Sequence, residues 1–256
     1  MNLHTKYKVS LVKTIIRLEN VSVEYRIPSE RIGTLKEYVI RWVQGKVKQK
    51  KFLALKDVFI EINQGEVFGV IGHNGAGKST MLKLFARVLP PTIGRIEISG
   101  SVSPLLELGA GFHHELSGRE NVFLNGAILG YSREEMKSKF DSIVEFSGLH
   151  EFIDAPIRTY SSGMWARLGF AVATASRPDL LLVDEILAVG DEEFQKKCFD
   201  RIEEFRDNGT TIVIVAHSMQ VIKDRCSRVC WLDHGEMKYI GEPEEAISLY
   251  RKSQTN

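Results

Sequence analysis

The stretch GHNGAGKST, from Gly72 to Thr80, leaves few folds open to a chain that contains it. A glycine, four free positions and then Gly77, Lys78 and Ser79 is the spacing of a phosphate-binding loop. The flanks agree with it. EVFGVI, at 66–71, is a short apolar run suited to a buried strand, and STMLKLFARVL after Lys78 has a helical period. A strand feeding a glycine loop that opens a helix presents free backbone N–H groups and the positive end of the helix to an anion. In such a loop the N–H groups cradle phosphates. Lys78 reaches the β and γ phosphates, and the Ser79 hydroxyl ligates Mg²⁺.

Length and composition set the frame. The 256 residues suffice for one large domain or two small ones. A 43% hydrophobic and 26% charged content is ordinary for a globular protein, and a net charge of +1 carries no broad basic footprint for nucleic acid. The sequence has no apolar run of about 18 residues, so no membrane-crossing helix is expected. MNLHTKYKVSLVKT has neither the apolar core nor the cleavage site of a signal peptide, so none is expected. Cys198, Cys226 and Cys230 show no metal or redox spacing and read as reduced thiols.

In chain order, residues 15–25 read as a strand or a hairpin arm ending at Tyr25, either a half-buried sheet aromatic or a flat surface for a base. From Thr34 to Val47, Leu35, Val39, Val43 and Val47 recur every fourth residue beside Tyr38 and Trp42, with Lys48, Lys50 and Lys51 following. This basic amphipathic segment fits a helix lying against a membrane or membrane partner, or one packed on its own domain with a solvated lysine tail. VFIEI and EVFGVI meet at a turn at 63–65, and two short strands follow on either side of Gly100. Between Arg119 and about His150 the period becomes helical, with Ser132 as a cap. SSGMWARLGFAVATAS, at 161–176, is again helical, capped by Ser161 or Ser162. Gly163 in its first turn leaves a second anion site open.

LLLVDE, at 180–185, is an apolar strand ending in two carboxylates. In an open sheet such carboxylates lie on the binding side. Asp184 can hold the hydration shell of Mg²⁺, and Glu185 can orient or deprotonate water. Residues 192–207 read as a charged helix. TIVIVAH ends a third strand at His217, placed to contact a γ phosphate. RVCWLDHGEMKYIG reads as a hairpin turning at Asp233, His234 and Gly235. A last helix is expected from Pro243 to Tyr250, with RKSQTN as a frayed end.

Together these segments resemble the ATP-binding subunit of ABC transporters over about residues 15 to 250. The resemblance implies an α/β fold, a P-loop NTPase of the ABC ATPase type. It has a mixed sheet core with N-terminal antiparallel strands and a helical subdomain. It further implies one nucleotide-binding domain over 1–256, with a core at about 15–115 and 178–256, a helical subdomain at about 116–177 and the basic insertion at about 30–51. His73, Asn74, Gly75, Ala76, Gly77, Lys78, Ser79 and Thr80 then match the Walker A loop. LLLVDE matches Walker B with Glu185 as base, and YSSGM, at 160–164, matches the signature usually written LSGGQ. Asp191 ends the D-loop LAVGD, His217 is the switch histidine, and Tyr25 falls where adenine stacks. Glu107 stands where a glutamine normally contacts Mg²⁺ and water, and its charge sets it apart. The implied catalytic residues are Glu185, His217 and Lys78, and the implied Mg²⁺ ligands are Ser79, Asp184 and Glu107.

YSSGM, LLELGAGFHHELSGRENV, DEILAVGDEEF and the insertion between Tyr25 and Leu55 resemble the subfamily that exports O-antigen, capsule and teichoic acids. The resemblance implies a head-to-tail homodimer that holds ATP between Lys78, Ser79, Asp184, Glu185 and His217 of one copy and Ser161 and Gly163 of the other. It implies transmembrane permease subunits, a lipid-linked polysaccharide as cargo, no nucleic acid, and a peripheral place on the cytoplasmic face of the inner membrane. Ending at Asn256, the chain is expected to lack the glycan-reading β-sandwich of some relatives. Two other readings stay open. One is an exporter of lipid, peptide or drug, and the other a non-transport ABC ATPase acting on nucleic acid.

Overall fold

The computed structural model describes residues 13–28, 49–106, 108–184, 190–216 and 218–254. Glu107, Glu185, His217 and the stretch 30–48 of the basic insertion lie outside the described residues.

The strands are β1 (Thr14–Pro28), β2 (Gln49–Asn63), β3 (Val67–Ile71), β4 (Ile93–Ile98), β5 (Val102–Leu105), β6 (Leu180–Val183), β7 (Thr211–Val215), β8 (Arg228–Asp233) and β9 (Glu236–Gly241). The helices are α1 (Lys78–Phe85), α2 (Gly118–Ile128), α3 (Arg133–Ser147), α4 (Ser162–Ala173), α5 (Glu192–Asp207), α6 (Met219–Arg225) and α7 (Pro243–Ser253). One sheet has the order β2-β1-β4 and the other β5-β6-β7-β3-β8-β9. Every residue of β3, β6 and β7 is buried, which is why these strands read as unbroken apolar runs rather than alternating ones. β5, β6 and β7 pair in parallel, so the ends of β6 and β7 lead to the same edge. The β8–β9 hairpin is antiparallel, with Asp233 opposite Glu236 across a two-residue turn.

Contacts divide the chain into two compact units. One comprises the described parts of Met1–Arg17, Glu61–Phe68 and Ile98–Ile214. Its helical core gathers Val122, Met136, Phe140, Ile143, Leu168 and Val172, with Phe123 stacked on Phe140 at 5.8 Å. Each such side chain contributes about 1.5–3 kcal/mol on burial. Capping boxes start α2 at Ser117 with Glu120, and α3 at Ser132 with Glu135. The other unit comprises the described parts of Leu18–Ile60, Gly69–Glu97 and Val215–Asn256.

Three sequence expectations change. β2 begins at Gln49, so Lys50 and Lys51 are strand residues rather than a tail, and Lys51 pairs with Glu24 on β1 at 3.1 Å. The last helix runs on to Ser253, three residues past Tyr250, and Arg251 and Lys252 favour its negative end. α4 stops at Ala173, where Thr174 turns its hydroxyl back onto the Phe170 carbonyl at 2.7 Å.

Candidate functional site

β3 delivers the chain to Gly72, and the glycines there answer to close backbone approaches. A Cβ on Gly72, at φ 153°, would stand 2.3 Å from the Leu232 carbonyl oxygen. One on Gly77, at φ 110°, would stand 2.7 Å from that of Ala54. Both are nearer than any Cβ contact tolerates, so the loop lies flush on its neighbours there, while a Cβ on Gly75 would meet nothing within 4 Å. Within it the Ala76 N–H donates to His73 O at 3.1 Å.

α1 begins with no side chain capping it and no acidic residue in its first turn. Its N-cap is Gly77, which has no side chain to accept from the first N–H groups. Lys78, only 8% exposed, folds back so that Nζ donates to Gly72 O at 2.7 Å and to His73 O at 3.1 Å. A cation held by carbonyls above uncapped N–H groups is an environment for a polyphosphate. The hairpin turn supports the loop: Gly235 N–H donates to Ala76 O at 2.9 Å, and Gly235 O accepts from Lys56 N at 2.8 Å.

The second helix start belongs to the other unit. Ser161, not Ser162, caps α4, its Oγ accepting from Met164 N at 3.2 Å. The hydroxyl hydrogen remains available to donate. A Cβ on Gly163 would meet nothing nearer than Ser161 Oγ at 3.8 Å, and Ser161 and Ser162 are exposed. Tyr160 anchors the approach, donating to Phe152 O at 2.7 Å. Burial pushes its phenol above the usual range.

α4 also grips the segment that follows Glu107. Trp165 Nε1 donates to Leu108 O at 3.2 Å, and a Cβ on Gly169 would stand 2.6 Å from Gly109 N. Farther on, fully buried Asn121 clasps the loop before α2. Its Oδ1 accepts from His113 N at 2.6 Å, and its Nδ2 donates to His113, Leu116 and Ser117 carbonyls. Asn125, one turn on, donates to Ala110 O at 2.7 Å. These positioning residues went unread in the sequence. Their signal is two asparagines four apart on the face that also carries buried Val122.

Among the other expected residues, Asn74 and Gly75 are exposed, Ala76 is buried, and Ser79 and Thr80 sit in the first turn of α1. Tyr25 is half-buried in β1. Asp184 follows β6 directly and is half-buried. Asp191 caps α5, accepting from Phe194 N at 2.9 Å, and pairs with Arg167 of α4. The Phe194 N–H, more than Arg167, lowers its carboxyl below the usual range. Cys198, Cys226 and Cys230 are buried and unpaired, and burial pushes each thiol up to about 12, which keeps them protonated and inert. No helix of the described residues is long and apolar enough to cross a membrane.

A buried strand, a glycine loop and an uncapped helix start carrying a buried lysine define a phosphate-loop nucleoside triphosphatase. The sequence profile described as "ABC transporter" matches residues 55–188. The O-antigen export system ATP-binding protein RfbB of Klebsiella pneumoniae is 43% identical over 244 residues, covering 94% of this chain and 99% of that protein. The protein of the same name from Myxococcus xanthus is 46% identical over 223 residues, 86% of this chain, and this match spans about half, 51%, of its length. The teichoic acids export ATP-binding protein TagH of Lactococcus lactis is 48% identical over 204 residues, 80% of this chain and 44% of its own. An ATP-binding subunit of an ABC transporter superposes with a TM-score of 0.72 at 20% identity, covering 95% of this chain and 100% of its own. The chain belongs to the ABC transporter family. It is an ATP-binding, ATP-hydrolysing ABC-type ATPase, and family and fold together imply that it uses ATP with Mg²⁺.

Proposed function

We propose that two copies of this chain, stacked head to tail, hydrolyse ATP to drive export of a lipid-linked polysaccharide, most simply an O-antigen, through separate transmembrane subunits. The observation that carries the motor is the uncapped start of α1 with Lys78 held in the loop. The cargo rests on the relatives, two of them named as O-antigen export ATP-binding proteins.

Ser79, Asp184 and Glu107 are the residues that would hold Mg²⁺. Their hydroxyl and carboxylate oxygens are the hard donors this ion takes. Bound there, the ion supplies charge neutralisation on the phosphates. The chain's own groups do the rest. The loop from His73 to Thr80 orients the phosphates, Tyr25 stacks on the base, and Glu185 accepts the proton of the attacking water. His217 contacts the γ phosphate from one copy, and Ser161 and Gly163 contact it from the other, beside Asp191. Loss of the γ phosphate removes the shared ligand and lets the copies part. The helical subdomain at about 116–177 passes that movement on. Leu124 and Ile128, four apart on α2 and 37% and 61% exposed, offer an apolar stripe to a membrane subunit. Such work places the chain peripherally on the cytoplasmic face of the inner membrane, with the basic insertion facing the bilayer or its partner.

The test is Glu185→Gln. Turnover should fall by about 10²–10⁴-fold while ATP still binds, and an ATP-bound dimer should accumulate in light scattering. Wild-type turnover in that variant would sink the base assignment. For the cargo, cells lacking the chain should accumulate lipid-linked glycan on the cytoplasmic side. Normal surface glycan would refute that part alone.

A further inference from the structure

His73, Asp233 and His234 gather one donor atom each within 4.8 Å of one another. His73 opens the phosphate loop, and the other two end β8 and begin the hairpin turn in the same compact unit. His73 Nδ1 lies 2.7 Å from Asn74 O, which can only accept, so that nitrogen carries the hydrogen. In the neutral ring Nε2 is then a bare lone pair. This nitrogen is buried and makes no hydrogen bond, although Asp233 Oδ1 is 3.1 Å away. Two electron-rich atoms this close with no hydrogen bond joining them repel, and a cation lying near both would satisfy the nitrogen and the carboxylate together. His234 brings the third donor, with Nε2 3.9 Å from the same carboxylate oxygen, and its ring lies 4.5 Å from that of His73.

We propose that His73 Nε2, Asp233 and His234 Nε2 form a binding site for a borderline divalent transition metal of the zinc type, separate from the Mg²⁺ of the nucleotide. Two imidazoles and a carboxylate suit zinc, and ligands about 2.0–2.2 Å from a tetrahedral ion stand about 3.3 Å apart. The 3.1 Å pair already meets that spacing. The 3.9 Å pair needs a rotation of the exposed His234 ring. The Nδ1–H donated to a backbone carbonyl is the orienting contact that ligating histidines make. A metal there ties the entry of the phosphate loop to the hairpin whose Gly235 N–H already supports Ala76.

The experiment uses the full chain without nucleotide and titrates Zn²⁺ by calorimetry, with zinc-edge X-ray absorption on the same sample. The expected result is one zinc per chain, with two imidazole nitrogens in its first coordination sphere. Asp233→Asn and His234→Ala should each weaken binding about 10-fold or more, while Ser79→Ala leaves it unchanged. Circular dichroism melts check that the variants fold, and the wild-type absorption spectrum decides the case without them. The absence of saturable zinc binding would overturn the site. A bound zinc without imidazole ligands, or one lost only in Ser79→Ala, would overturn it equally.

Discussion

α1 starts just after a glycine and α4 carries one in its first turn, and they begin in opposite ways. α1 has no side-chain cap, and its first residue, Lys78, is buried and bonded to two loop carbonyls. α4 is capped by Ser161, carries no lysine in its first turn, and presents Ser161 and Ser162 to solvent. The first start brings its own countercharge to a phosphate. The second supplies only a hydroxyl and backbone N–H groups, too little to hold a polyphosphate alone. On the proposed function, one is the main half of an anion site, and the other reads a phosphate that the partner copy holds.

The sharpest way to break this contrast is to remove the charge that only α1 has. Lys78→Ala should lower steady-state ATP turnover by about 10²–10³-fold and weaken nucleotide binding to the single chain. Wild-type affinity in that variant would remove the difference between the two starts. Next, Gly163→Asp puts a carboxylate into the open turn of α4. Turnover should fall by about 10²-fold with single-chain ATP affinity unchanged within about twofold. A matching fall in affinity would mean that α4 holds nucleotide itself. A smaller effect is expected for Ser161→Ala, which loses the cap. Thermal stability should drop by about 1 kcal/mol in denaturation, against no change for Ser162→Ala, which caps nothing.

The smallest effect concerns Asp179, which braces the unit that carries α4. The Ser101 N–H, at 2.7 Å, and then the Ser101 hydroxyl hold its carboxyl below the usual range. A depressed carboxyl stabilises the fold above its unfolded pKa of about 3.9, and loses that contribution as pH falls through that value towards the folded one. Asp179→Asn should therefore lower the melting temperature more at pH 6 than at pH 3. Equal losses at both would show that the bond, not the charge, matters.

Much of the site could be read in advance because it is local. The loop at 72–80, the apolar runs of β3, β6 and β7, the Ser132 cap and the hairpin turn at His234–Gly235 depend on residues a few positions apart. Boundaries were less legible. Lys50 and Lys51 look like a lysine tail until Gln49 begins β2, whose partner strand lies more than twenty residues earlier. The S-x-x-E of Ser117 and Glu120 stood in the sequence, yet the glycine between them masks the helix start. Asn121 reads as a polar helix residue, because its acceptors and donors come from a loop that reaches it only in the folded chain.

The sequence by itself determined the phosphate loop, the buried apolar strands and most of the order of strands and helices. These follow from spacing and periodicity, which the covalent chain carries. Only the tertiary structure decided that Gly72 and Gly77 admit no side chain, since the Leu232 and Ala54 carbonyls that exclude one are distant in sequence. It alone brought His73 to Asp233 and His234, across 160 residues. Burial and hydrogen-bond direction belong to neighbours in space, and a single chain of letters does not record them.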